Sequence, residues 1–500
     1  MSAAASSAHN PTERPSMSSS SDRSHPGNQT TAVSTSPNKE HQDMESQPTE
    51  KGAVSPARQA PRLGQEGFWS PRLATQRREY LKVMVLFTVI ICIFIWCAVS
   101  IYWGSVWKEI DLSPNLTGWI INRDSGEIGT AIERALLAAN NGAKPHITWL
   151  SVDPNLYPTQ DDLDLQVTNK LSTWVVVDVA EGATAALQSA RANGDASWNP
   201  RSVVSMTYAT ARNFQVVPSV VTAPAMQILN TAIVQLGSSL AREYLSSISS
   251  NATAIINLSN APQTIATPIA VLSRDLRPYD VSVAIAVLVV GLIYLCILAF
   301  NATMANFASR QPLQPFLRFR SLVAMRILVP ICCYIFISLM ISLLNVPFKL
   351  PFGRTFSYGA GFMIWWSVTF VGMCVLGLVT ECFISLAGPK FIGFALLFFI
   401  VINVSVANLP IELSPSFYRY GYAMPFYNIR AIYNKVIFDV GERVEILKYM
   451  GILWAWLVTI FLTFPIWIWL ERRSSQKQHL AQAKKQSPGA APQQQQQQQQ

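Results

Sequence analysis

The stretch RREYLKVMVLFTVIICIFIWCAVSIYW, residues 77–103, passes from a basic cluster through an apolar run to an aromatic end. From Val83 to Tyr102 no residue carries a charge, and that length as a helix is about 30 Å, the thickness of a bilayer's hydrocarbon core. The segment reads as a membrane span. A cleaved signal peptide would place a shorter apolar core near the N-terminus, whereas a long polar tail precedes this one.

Working outward, five more apolar runs of similar length lie near 281–300, 324–344, 360–380, 390–408 and 447–469. The expected class is therefore a mainly α membrane protein of six transmembrane helices, one at 83–102 and then a cluster of five within 281–470. Charge fixes the expected orientation. Arg72, Arg77, Arg78 and Lys82 precede the first span against Lys108 just after it, which puts the N-terminus in the cytoplasm. Arg310, Arg318, Arg320 and Arg326 after the second span, and Arg472, Arg473 and Lys477 after the sixth, obey the same rule, so both termini are expected inside. The net charge of +9 follows from these flanks, and no nucleic-acid partner is expected.

Residues 1–75 and 471–500 are rich in Ser, Pro, Thr, Asn and Gln and lack an apolar periodicity, so both are expected to be disordered cytoplasmic tails. All seven cysteines lie in or beside apolar blocks, which leaves no disulfide framework outside the membrane.

Between the first two spans, residues 104–280 are expected to form a large extracellular α+β domain. TWVVVDV (173–179) and VVSMTYA (203–209) have the β-branched content of strands, and apolar residues at helical spacing follow near 183–190 and 219–249. Three sequons fall in this domain, making Asn115, Asn251 and Asn257 glycosylation candidates; a fourth, at Asn28, lies in the first tail. The acidic run Asp161, Asp162, Asp164 lacks the glycine and distal glutamate of a calcium loop and reads as a solvated turn.

Chemistry-bearing motifs are absent from the sequence. It holds no HExxH, GxSxG or CxxC, so no catalytic, metal or cofactor site is expected. It also lacks GxxxxGK[ST], so active transport would need a partner pump or an ion gradient. Arg326 and Glu381, at the cytoplasmic ends of the third and fourth expected spans, read first as residues that snorkel to the headgroups and second as a functional pair. Pro330 and Pro465 would kink their spans, and Ser367, Thr369 and Asn403 are the few polar groups available to line a cavity.

The connection 409–446 is too polar to span as one helix yet rich in aromatic rings, and is expected to be an external interfacial loop carrying a re-entrant or interfacial helix. Tyr420, Tyr422, Pro425, Tyr427 and Asn428 are its candidate transport or interface residues.

TWVVVDVAEGATAALQSARANGDASW (173–198), MTYATARN (206–213) and PSFYRYGYAMPFYN (415–428), set in this order of spans, resemble the fungal nitrosoguanidine-resistance protein family, whose defining domain is of unknown function. The likeness extends over about residues 80–475. The layout is also similar to the membrane subunits of type-2 ABC exporters and to bacterial phage-infection proteins. The resemblance implies a multi-pass plasma-membrane protein contributing to resistance to toxic compounds, permease-like, exporting or translocating amphipathic drugs or lipids, alone, as a homo-oligomer or with a partner pump. The alternative it implies is a non-transporting scaffold or regulator of lipid translocation.

Overall fold

The computed structural model describes residues 67–486. Most of the two tails, with the Asn28 sequon, lies outside the described residues. The described chain divides between Glu79 and Tyr80 into two units. In the first, a 3-10 turn at Pro71–Leu73 leads into a helix, and Arg77 donates to the Phe68 carbonyl and lies over the Trp69 ring. This end of the expected tail is therefore ordered.

The expected first span, α1 (Pro71–Val106), runs through this division, and the second unit begins within it. It is peripheral. Val83, Val85, Leu86, Trp96 and Trp103 face outward, which suits contact with lipid, while Phe87 and Phe94 meet Phe394 at 5.6 and 5.7 Å.

The segment after α1 folds around a five-stranded sheet: β1 (Thr117–Asn122), β2 (Thr148–Val152), β3 (Val175–Val179), β4 (Val204–Tyr208) and β5 (Val271–Asp275), in the order β2-β1-β3-β4-β5. Only β3 and β4 pair antiparallel, with Val177 opposite Met206. Helices cover both faces. On one face α2 (Glu127–Ala138), α4 (Ala183–Asn193) and α5 (Val217–Ile248) bury Ile132, Leu187 and Leu229 against Ile120, Val175 and Val177. On the other, α3 (Gln160–Thr168) buries Leu163 and Val167 against Ile121 and Val176. Cover on both sides explains why β3 opens on three successive buried valines, Val175 to Val177. The result is a three-layer α/β arrangement, more interleaved than the α+β domain expected from two strands. A short helix, α6 (Ala252–Asn260), packs beside α4. The acidic run, expected as a solvated turn, is instead the start of α3: Thr159 and Asp162 form its capping box, and Asp164 pairs with Arg274 at 2.8 Å.

The membrane domain consists of α7 (Ala286–Arg310), α8 (Phe319–Leu343), α9 (Tyr358–Ala387), α10 (Ile392–Ala407), α11 (Pro425–Phe438) and α12 (Glu445–Gln486). Among the described residues six helices are long and apolar enough to cross a membrane, but they are not the six expected. One is α5, whose apolar stripe is spent on the sheet. Conversely, the expected span 390–408 forms only the 16-residue α10, about 24 Å. It is confined between Gly388, with its left-handed φ of 74°, and Pro410.

Two further expectations are corrected. The expected disordered tail from 471 instead continues α12 to Gln486. The helix expected within the external loop 409–446 is present as α11, but it lies inside the bundle rather than at the interface: Phe426, Ile429, Ile432, Tyr433, Val436, Ile437 and Phe438 are all buried. Its aromatic content serves packing. At the centre α9 packs on α7, α8, α11 and α12 and is buried almost continuously from Val368 to Cys382.

The α/β domain joins the bundle through the end of α1 and the start of α7, and so sits at one end of it. It is docked there by several contacts. Asn213 donates to the Asn408 carbonyl at 3.1 Å and Asn434 to that of Ala211 at 2.9 Å. Arg277 pairs with Asp439 at 2.8 Å, and Phe214, Tyr279 and Phe438 stack in series at 5.0 and 4.9 Å.

Candidate functional site

The half of the bundle nearer the α/β domain contains a cleft of about 360 Å³. Val287 and Leu295 of α7, Ile341 of α8, Leu344 and Phe348 make it apolar, with Asn345, Thr369 and Tyr433 as polar points. Its floor is rigidly built. Tyr433 of α11 stacks face to face on Trp365 of α9 at 3.7 Å and 14°. Thr369 Oγ1 donates to the Trp365 carbonyl at 2.7 Å, so its own hydrogen is used and the Tyr433 hydroxyl is the donor in their 2.7 Å bond. An apolar recess of this size with a few oriented polar groups is suited to a small amphipathic molecule.

Farther along α7 the interior closes. The Thr303 and Tyr334 hydroxyls meet at 2.7 Å, and Thr303 donates to the Gly377 carbonyl at 3.3 Å. A Cβ on Gly377 would occupy the space of the Tyr334 hydroxyl, which is why α9 carries glycine there. From Leu295 to Thr303 is about 12 Å along the helix.

A further turn or two on, at the end opposite the α/β domain, four helices are tied by charge. Arg310 of α7 and Arg326 of α8 both lie 2.6 Å from Glu381 Oε1 of α9, and Arg326 also pairs with Glu471 of α12 at 2.7 Å. Arg326 additionally donates to Ser385 Oγ at 2.6 Å. Arg310, Arg326 and Glu381 are fully buried. Arg310 approaches without hydrogen-bonding angles, and Glu381 Oε2 has no partner. The sequence-based expectation that Arg326 and Glu381 snorkel is thus corrected: each sits roughly two turns inside its helix end and finds its counter-charge on a neighbour.

The other candidates divide between packing and a second cavity. Tyr420 meets Ser405 Oγ at 2.9 Å, Pro425 is the buried first residue of α11, and the buried Asn428 donates to the Tyr422 and Met424 carbonyls. Tyr422 is exposed, its ring edge-on to Tyr427 at 5.5 Å. Tyr427 lines a cavity of about 260 Å³ between the α/β domain and α11, together with Trp174, Arg212 and Arg430. Of the sequons, Asn251 caps α6 from an exposed position, while Asn115 donates to the Glu412 carbonyl and Asn257 to that of Ala192.

Sequence reading missed Arg310, counted as a loop charge, and Glu471, masked by Arg472 and Arg473 beside it. The available signal was a carboxylate inside one apolar run with arginines at matching depth in others. It also missed Trp365 and Tyr433, since nothing in one sequence says that two distant rings stack.

The fold and its buried charges define a multi-pass membrane protein with a docked α/β domain, set in a lipid bilayer. The chain belongs to the family of proteins of unknown function designated DUF3533, whose model matches residues 87–462. It is similar to an uncharacterized endoplasmic reticulum membrane protein of Saccharomyces cerevisiae, YJR015W. The two are 24% identical over 402 residues, covering 75% of this chain and 78% of the relative. No solved structure matches it.

Proposed function

We propose that this protein is a permease-like carrier, not an enzyme, that moves amphipathic molecules across or between leaflets of its membrane. The observation that carries the reading is the apolar cleft floored by Trp365, Thr369 and Tyr433, recessed from one end of the bundle and closed beyond by Thr303 and Tyr334. The charge cluster behind that closure is what an alternating-access carrier needs: a set of contacts strong enough to hold one end shut and able to be broken as a unit. The resemblance to nitrosoguanidine-resistance proteins fits such a role in tolerance of toxic compounds. For the compartment, the yeast relative's endoplasmic reticulum membrane is a better starting point than the plasma membrane. The basic flanks favour both termini in the cytoplasm and the α/β domain on the opposite side.

The test is transbilayer movement. Full-length protein in proteoliposomes should move a fluorescent amphipathic dye or labelled lipid, and Ala286→Phe, which fills the cleft, should abolish movement without unfolding the chain. Inert vesicles, or a filled cleft that moves the probe as fast as the parent, would reject the reading and favour a scaffold.

A further inference from the structure

The junction cavity shares no lining residue with the membrane cleft, and all three sequence stretches quoted for the family resemblance reach it through Trp174, Arg212 with Asn213, and Tyr427. Its lining carries both signs, Arg212, Arg430 and Lys435 beside Glu412, Glu442 and Glu445, with Lys435 already paired to Asp439 at 2.6 Å. Arg212 is held by the Thr173 and Leu171 carbonyls at 2.6 and 3.0 Å and lies 3.7 Å over the Trp174 ring. Arg430 is held by the Ala407 and Asn408 carbonyls. Among the described residues neither pairs with a carboxylate, although Arg123, Arg274, Arg277, Arg310, Arg326 and Arg354 all do.

Backbone carbonyls orient a guanidinium without neutralising it. Burial accordingly pulls Arg212 down to about 10, against the opposing pull of Glu412 and Tyr427. Three carboxylates line the same cavity, Glu412 and Glu442 at exposed positions and Glu445 half-buried, and none has an ion-pair partner among the described residues. Tyr427 lies within electrostatic reach of Arg212, Arg430, Glu412 and Glu445, with the Tyr449 ring edge-on at 6.4 Å.

A simple anion would meet the arginines but be repelled by the carboxylates; a simple cation would face the reverse. We infer that the junction cavity binds a phosphate–ammonium zwitterion, its phosphate between Arg212 and Arg430 and its ammonium among Glu412, Glu442, Glu445 and the faces of Tyr427 and Tyr449. Two guanidiniums suit a phosphate through paired N–H donors, and aromatic faces beside carboxylates suit an ammonium. At about 260 Å³ the cavity takes a headgroup and excludes acyl chains, so the ligand is either a lipid headgroup entering from the bilayer or a free phosphocholine-like molecule. The site is independent of the transport reading, because none of its residues lines the cleft.

The experiment uses the full-length protein in nanodiscs of phosphatidylglycerol, titrated calorimetrically with phosphocholine, inorganic phosphate or choline. A second arm incubates the protein with mixed phosphatidylcholine and phosphatidylglycerol vesicles and identifies retained lipid by mass spectrometry. Expected is phosphocholine binding at least tenfold tighter than phosphate or choline, which identifies a free ligand, or selective retention of phosphatidylcholine, which identifies the lipid. Arg430→Gln should weaken whichever is seen at least tenfold. Glu442→Gln/Glu445→Gln, which removes unpaired carboxylates and leaves the fold intact, should do the same. Phosphate binding as tightly as phosphocholine, insensitivity to the Glu442/Glu445 variant, or failure of both arms would overturn the inference.

Discussion

Glu381→Gln removes the one carboxylate shared by two buried guanidiniums, each 2.6 Å away. The remaining counter-charge is Glu471, which is 23% exposed and touches only Arg326. Stripping one partner from a buried charge pair costs on the order of 3–5 kcal/mol, because the surviving charge stays desolvated without compensation. For a bundle of this size that corresponds to a melting temperature lower by roughly 10 °C. The assay is thermal unfolding of the full-length protein in mild detergent. A control separates charge from packing: changing Arg310→Met, Arg326→Met, Glu381→Leu and Glu471→Gln together removes the desolvation penalty along with the attraction, and should recover most of the loss. Melting of Glu381→Gln within about 2 °C of the parent, or a quadruple variant less stable than the single one, would refute the reasoning.

Three other outcomes follow from the geometry. Gly377→Ala drives a methyl group against the Tyr334 hydroxyl and should destabilise by about 1–3 kcal/mol, with Tyr334→Phe restoring part of the loss in the double variant; an additive pair would contradict the contact. Burial pushes the Asp439 carboxyl up, but Lys435, Thr355 and Arg277 outweigh it and hold the group below its ordinary value. Its clamp on the α/β domain is therefore complete above about pH 4 and is lost as pH falls through the lowered value. Hydrogen exchange at residues 276–280 should rise over that acid range in the parent and be raised and flat in Asp439→Asn, which keeps the left-handed backbone at that position (φ 57°). Among the sequons, Asn251 is exposed and commits only its carbonyl oxygen to the fold, so Asn251→Gln should remove a glycan-dependent gel shift; no shift in the parent would count against a luminal or external α/β domain.

Most of the bundle was legible because a bilayer demands length and apolarity, and both are visible in one sequence. The central strand β3 was legible for a related reason: Val175, Val176 and Val177 announce burial on both faces. The strands that escaped, β1, β2 and β5, include exposed or half-exposed residues such as Leu150, Ser151 and Arg274 and are fixed by pairing with distant segments. The buried cluster was half legible. A glutamate in an apolar run is costly enough to flag, but the depth at which Arg310, Arg326 and Glu471 meet it depends on how four helices are staggered. Residues 425–438 misled for the opposite reason, since Tyr427 and Tyr433 have the composition of an interfacial belt while Tyr433 is buried in the core and Tyr427 lines the junction cavity. Hydropathy equally fails to separate α5 from a span, because a helix covering a sheet buries the same side chains that a bilayer would.

The most direct test of the central claim, that the cleft is where an amphipathic molecule is held in transit, is photochemical. Full-length protein in vesicles is illuminated with a diazirine-bearing amphipathic probe, digested and mapped by mass spectrometry. The account predicts labelling at Leu295, Trp365 and Tyr433, competed by unlabelled probe and lost in Ala286→Phe. Labelling confined to outward-facing positions such as Trp96, Trp103 and Leu462, without competition, would contradict it.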